Sequence, residues 1–177
     1  MHAFFHRHQP AAPSAVWLKA GLGGVVGIAL VAWLGQISDV PWLMAPFGAT
    51  CVLLFSLPQV PFSQPANVIG GHMVSTAIGL IVALLLPTEW WSLGLAVGGA
   101  IAAMHALRLT HPPAGADPIV VLLARPALDF LLFPVLAGSL MLVLCAMLLH
   151  RLPPVVSYPL PLRPHPCARE SECAPPS

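Results

Sequence analysis

Charge is what this sequence has least of. Of its 177 residues, 7% are Asp, Glu, Lys or Arg, while 58% are hydrophobic. A soluble domain carries about a quarter charged residues. This chain cannot coat a water-facing surface, so its natural solvent is lipid. Clustered basic residues are also missing, and a net charge of +1 excludes a nucleic-acid footprint. Cysteine is too sparse for a disulfide framework: Cys51 and Cys145 sit in apolar runs as small buried thiols, and Cys167 and Cys173 lie in the C-terminal stretch. The length suits one membrane domain.

Apolar segments long enough to cross a bilayer need about 20 residues. Four qualify by pattern: Ala15 to Ile37, Val68 to Leu86, Trp90 to Leu109 and Phe130 to Leu149. Two shorter runs do not, Pro41 to Leu57 and Ile119 to Ala124, and both follow or contain Pro and Gly. The fold expected is therefore an all-α membrane protein, with four full transmembrane helices and two Pro/Gly-broken short segments. Residues 1–14, with His2, His6 and His8, read as a disordered arm; 15–151 as the membrane domain; 152–177 as a Pro-rich disordered tail. Lys19 is placed to snorkel to the interface.

The order span, broken segment, span occurs twice, over 15–86 and 88–150. Pro46-Phe47-Gly48-Ala49-Thr50 recurs 67 residues later as Pro113-Ala114-Gly115-Ala116-Asp117. If both broken segments cross, Arg7, Lys19, Arg108, Arg151, Arg163 and Arg169 share the cytoplasmic side, with Arg125, Asp39, Glu89 and Asp129 opposite. The positive-inside rule favours that arrangement. Each half then has three crossings, a 3+3 inverted repeat with both termini cytoplasmic, as suits a bacterial inner membrane.

Broken segments at membrane depth line cavities or are buried in protein, because unpaired amides in lipid cost several kcal/mol each. Helices are expected to start near Gly48 and Gly115 and to run about ten residues, half a bilayer. Two such N-termini facing each other would hold a small anion. The candidate binding or pathway residues are His111, Pro112, Pro113, Gly115, Ala116, Asp117, Pro46, Gly48, Ala49, Thr50 and Arg108. Thr110 adds a hydroxyl. Asp117 opposes an anion; it is expected to cap its helix, pair with Arg108 or carry a coupled proton with His111. His72 and His105 read as packed intramembrane residues, and Gln64, Asn67 and Ser75 as polar lining. Gly23 with Gly27, and Gly94 with Gly98, read as helix–helix contacts.

The segment "THPPAGADP" resembles the signature of the HPP family of integral membrane proteins. "PWLMAPFGATCVLLFSLP", "QPANVIGGH" and "FLLFPVLAGSLMLVL" are similar to its other segments, in the same order. The resemblance runs from about Ala15 to Arg151. It implies His111 to Ala116 as the motif, with Pro46, Gly48, Ala49 and Thr50 as its companion, and nitrite as a substrate of some plastid and cyanobacterial members. A multi-pass permease for a small inorganic anion, forming a homo-oligomer in the bilayer, is the expectation. No catalytic spacing is present, and no enzyme activity or cofactor is expected. The alternatives are a non-transporting scaffold or sensor, and an intramembrane metal site built from His72, His105, His111 and Asp117.

Overall fold

The computed structural model describes residues 6–7, 10–38 and 40–161, and the secondary structure among them is helical. The expectations for His2, His8, Asp39, Arg163, Cys167, Arg169 and Cys173 lie outside the described residues.

Proline sets the helix starts. Helix α1 spans Ser14–Ser38 and α2 spans Ala45–Ser56, with Pro46 in its first turn. Helix α3 spans Pro65–Leu85 and opens on proline, while α4 spans Trp90–Ala106. A 3-10 turn, Pro112–Ala116, leads into α5 (Asp117–Ala124). Two irregular pieces, Leu128–Leu131 and Leu132–Leu136, lead into α6 (Ala137–Leu149). At these first positions a missing N–H costs nothing, and the fixed φ of proline suits the helix. The short helices consequently start at Ala45 and Pro112, three residues before the expected Gly48 and Gly115. Pro134 has the opposite effect: Phe133 leaves helical geometry (φ −131, ψ 112) just before it.

Among the described residues, three helical stretches are long and apolar enough to cross a membrane: Ser14–Ser38, Pro65–Leu85 and Leu128–Leu149. The expected fourth falls short, because α4 stops at Ala106 after 17 residues, about 25 Å. Its stop has a local cause. Arg108 takes a left-handed conformation (φ 58), its N–H bonds His105 O at 3.1 Å, and the Leu109 N–H bonds Met104 O at 2.8 Å. That pair of bonds closes a helix end in the manner usually given to glycine.

Successive helices alternate in direction, as side-chain bonds at the two ends of the bundle show. At one end, Lys19 Nζ donates to Leu152 O and Pro154 O, both at 2.8 Å, and His150 Nε2 to Leu54 O at 2.8 Å. Asn67 Nδ2 donates there to Thr110 O at 3.0 Å. At the other end, Arg125 donates to Ala83 O, Leu86 O and Thr88 Oγ1 at 2.8, 2.9 and 3.0 Å, closing the carbonyl end of α3. Lys19, Arg108 and Arg151 thus gather at the end where α1 starts and α6 finishes, and Arg125 stands opposite.

Helix α3 is the central element, packed on α4, α5, α6 and both irregular approaches. Helix α1 packs on α2 and α6 through Gly23 and Gly27, whose faces meet Phe55, Leu142 and Leu149. Gly94 and Gly98 have no such neighbour. The buried stripe of α4 is instead Ser92, Ala96, Ala100 and Met104. Trp17, Leu22, Val25, Trp33, Leu84, Leu85 and Trp90 lie exposed around the outside, an apolar exterior that only lipid solvates well.

The stretch after α6 is a correction to the expected free tail. Residues 150–161 fold back across the ends of α2 and α3. Tyr158 is buried and its hydroxyl donates to Ser63 O at 2.9 Å; the Leu160 N–H bonds Gln64 Oε1 at 2.8 Å. Proline there sets an extended strap, and the Tyr158 ring lies 5.6 Å from His150.

Two outcomes follow from this packing. A Cβ at Gly138 would sit 2.5 Å from the Phe47 ring, whereas one at Gly24 meets nothing within 4 Å. Gly138→Ala should cost about 1–3 kcal/mol through overpacking, read as a lowered thermal midpoint in detergent, with Gly24→Ala unchanged; equal midpoints would refute the packing. Burial holds His150 below the usual histidine range, opposed by its Leu54 bond and helped by nearby Lys19. The unfolded chain therefore binds that proton more readily. The contribution of His150 to stability is complete above the ordinary histidine range and is lost as pH falls through it. His150→Gln should flatten that slope; a wild-type midpoint unaffected by acid would contradict it.

Candidate functional site

The polar side chains that sequence places far apart meet in one buried cluster. Thr50 comes from the second turn of α2, and His72 and Thr76 from α3. His111 precedes the 3-10 turn, and Asp117 opens α5. All five are between 0% and 1% exposed. The chain of contacts is continuous. Asp117 Oδ2 lies 2.8 Å from His72 Nδ1, His72 Nε2 lies 2.8 Å from Thr50 Oγ1, and Thr50 Oγ1 lies 3.0 Å from His111 Nε2. His111 Nδ1 donates to Phe62 O at 2.7 Å, since a carbonyl only accepts. Thr76 Oγ1 donates to Asp117 Oδ2 at 3.3 Å, and Asp117 Oδ1 has no hydrogen-bond partner in the protein.

Helix α3 is built to receive this cluster. Gly70 and Gly71 leave its backbone bare, so that Leu109 and His111 lie directly on it. A Cβ on Gly71 would stand 2.6 Å from His111 Cβ and 2.9 Å from Leu109 O. One turn earlier, Asn67 holds the Thr110 carbonyl. One turn later, Ser75 Oγ donates to Ala114 O at 2.6 Å. Further along, Gly79 admits Pro118, whose Cα would be 2.9 Å from an added Cβ. The non-helical backbone around 110–114 thus has its carbonyls at Thr110 and Ala114 satisfied by side chains and that of His111 by the Ala114 N–H, as burial in lipid demands. Edge-on contacts complete the packing: the His72 ring lies 5.2 Å from Phe47 and 5.0 Å from His111.

Of the expected site residues, the structure brings Thr50, His111 and Asp117 together, with Pro46 O as a further acceptor for Thr50 at 3.2 Å. Gly48, Ala49, Pro112, Ala116 and Arg108 are exposed, Gly115 is half-buried, and none of them joins the network. Ala49, Pro112 and Pro113 line an open outer recess of about 390 Å³ with Val52 and Leu53. Asp117 neither caps its helix with its side chain nor pairs with Arg108; its partner is His72. His72 is the packed intramembrane residue expected, buried and hydrogen-bonded, and it stands at the centre of the network. His105 is exposed on α4. Gln64 braces a loop by donating to Pro58 O and Val60 O. Among the described residues no three His, Cys, Asp or Glu side chains are grouped so as to hold a metal ion.

The signal that sequence reasoning missed was in "GGHMVST". His72, Ser75 and Thr76 fall on one helical face at i, i+3 and i+4. The bare glycines beside them mark where another backbone comes close.

Comparison with known proteins finds relatives among transmembrane proteins. The family pattern described as "HPP, transmembrane region" matches residues 9–159. A transmembrane protein of Dictyostelium discoideum is 30% identical over 154 residues, covering 81% of this chain and 49% of that protein. A second from the same organism is 29% identical over 153 residues, covering 81% of this chain and 53% of its own length. The chain thus spans about half the length of the curated relatives it matches. No solved structure matches.

Gly71→Ala should displace His111 and break its Thr50 bond, because backbone and Cβ atoms cannot yield as a flexible side-chain tip does. Histidine NMR spectra of the protein in lipid nanodiscs should show both His72 and His111 resonances moved. Unmoved resonances would mean that the 109–111 stretch does not rest on Gly71.

Proposed function

We propose, on the premise that the chain belongs to the HPP transmembrane family, that it is a permease for a small inorganic anion, with nitrite as the first candidate. The observation that carries this reading is the buried network itself. Three ionisable side chains and a threonine, 0–1% exposed, meet inside a domain whose composition is otherwise apolar. Ionisable groups at membrane depth are expensive and mark substrate or proton pathways. A structural core of the same volume would be made more cheaply from Leu and Val.

Placement supports the reading. Both Pro-led short helices begin within two turns of the network, and their first-turn N–H dipoles favour negative charge nearby. Interrupted helices meeting at a shared site are the usual architecture of secondary transporters. The two halves, α1 to α3 and α4 to α6, run in opposite directions, as an inverted repeat requires. We read the end with Lys19, Arg108 and Arg151 as cytoplasmic, by the excess of basic residues there, in a bacterial inner membrane. A homo-oligomer in the bilayer remains part of this proposal.

The test is nitrite uptake by proteoliposomes, with and without an inward proton gradient. Saturable uptake by wild type that falls to the protein-free rate in Asp117→Asn and His111→Ala is the expected outcome. Well-folded wild type that moves no nitrite under either condition would remove nitrite and send the screen to other small anions.

A further inference from the structure

We infer that Asp117, His72, Thr50 and His111 form a single-proton relay, one mobile proton passing between Asp117 and His111 through the Thr50 hydroxyl. The inference deepens the permease reading and rests on it for its role, but its geometry stands alone.

The argument is a count of donors. His111 Nδ1 must carry hydrogen, because Phe62 O only accepts. Thr50 has one hydrogen, yet its oxygen lies 2.8 Å from His72 Nε2 and 3.0 Å from His111 Nε2. If Asp117 were ionised and both imidazoles neutral, His72 Nδ1 would hold its hydrogen toward the carboxylate. Both Nε2 atoms would then be acceptors competing for one hydroxyl hydrogen, with Pro46 O at 3.2 Å as a third claimant. One nitrogen lone pair would face an oxygen lone pair at hydrogen-bond distance with no proton between. One added proton removes the conflict.

Three arrangements hold that proton and satisfy every contact in the chain. Asp117 is protonated and His72 carries hydrogen on Nε2; or Asp117 is ionised and His72 carries both hydrogens; or Asp117 is ionised and His111 carries both. They interconvert by short transfers. The proton on Asp117 Oδ2 passes to His72 Nδ1, the hydrogen on His72 Nε2 passes to Thr50 Oγ1, and the hydrogen already on Thr50 passes to His111 Nε2. Asp117 is left as a carboxylate and His111 as an imidazolium. Atoms and charge balance, and one positive charge has moved from α5 to the turn before it.

The bare Asp117 Oδ1 is a second observation. Both protein donors to this carboxyl act on Oδ2. A bare oxygen costs an ionised carboxylate more than a protonated carboxyl, so it favours the arrangement with the proton on Asp117 Oδ2 as the resting one. The groups that face the network are Thr50 from α2, His72, Ser75 and Thr76 from α3, and Asp117 from α5. Ser75 is already committed to Ala114 O. With the proton at His111, a cation stands at the His-Pro-Pro turn, which is the charge a small anion needs. With the proton back on Asp117, that attraction is gone.

The experiment is nitrogen-15 NMR of the histidines of the full chain in lipid nanodiscs, paired with uptake of nitrite and protons in proteoliposomes. The wild type should show His111 Nδ1 protonated, and a proton on one of the two Nε2 atoms but not on the other. Thr50→Val should abolish proton entry with nitrite, and Thr50→Ser, which restores the hydroxyl, should recover it. Both Nε2 atoms unprotonated in the wild type, or Thr50→Val that still takes up one proton with each nitrite, would overturn the relay. Nitrite uptake without proton entry would overturn the relay and leave the permease. The expected Nε2 pattern without nitrite flux would support the relay and remove nitrite.

Discussion

Asp117 and His72 face each other at 2.8 Å with almost no exposure, and a buried pair of this kind is costly to break, about 3–5 kcal/mol when one partner is removed. Much of the fold can be understood as the means of holding that contact. Helix α5 must begin beside α3, so the preceding chain must come down on α3 backbone rather than side chains. Gly70, Gly71 and Gly79 provide the bare surface, and Asn67 and Ser75 bind the carbonyls of the chain laid there. Phe47, seated against Gly138 and edge-on to His72, then fixes α2 so that Thr50 reaches the other side of the imidazole.

The same accounting explains where the few polar residues of this chain are used. Away from the network, most of them close backbone ends that lipid could not. Arg125 caps the carbonyls of α3, Lys19 those that follow α6, His150 the end of α2, and Ser63 the carbonyls of Leu53 and Leu57. Helix ends leave unsatisfied carbonyls wherever they occur. In water solvent would take them; here a side chain must. A chain with 7% charged residues therefore has little polar material to spare for mere solubility. That strengthens the case that Thr50, His72, His111 and Asp117, which mostly bond one another, are present for a reason other than closing backbone.

Much of this was legible in the sequence, for physical reasons. Poverty of charge gave the membrane class, and Pro46 with Pro112 and Pro113 gave the two short helices. The repeated Pro-x-x-x spacing brought Thr50 and Asp117 forward. The partners of His72 were not legible, because they lie 22 and 45 residues away, and a local window shows only an apolar helix with a packed histidine in it. The end of α4 was misplaced because Arg108 occupies a left-handed position where glycine is the usual sign. Residues 152–161 were misread because proline-rich composition suggests disorder, while one anchor, Tyr158 beside His150, is enough to seat a strap. Gly94 and Gly98 show the converse: a small-residue pattern states where close approach is allowed, not that a neighbour is there.

Thr50 and Asp117 each stand four residues after a proline, and in the folded chain they bond opposite nitrogens of one imidazole. Two identical groups there would leave His72 in a symmetric setting, with no preferred side for a proton. A hydroxyl and a carboxyl differ. The carboxyl can keep a proton or release it with its charge, while the hydroxyl can only receive one as it passes another on. The two groups that meet at His72 are therefore unlike in chemistry, one carried by α2 and the other by the start of α5. That difference turns a packing motif into a directed chain of hydrogen bonds, with a proton store at Asp117 and a chargeable base at His111.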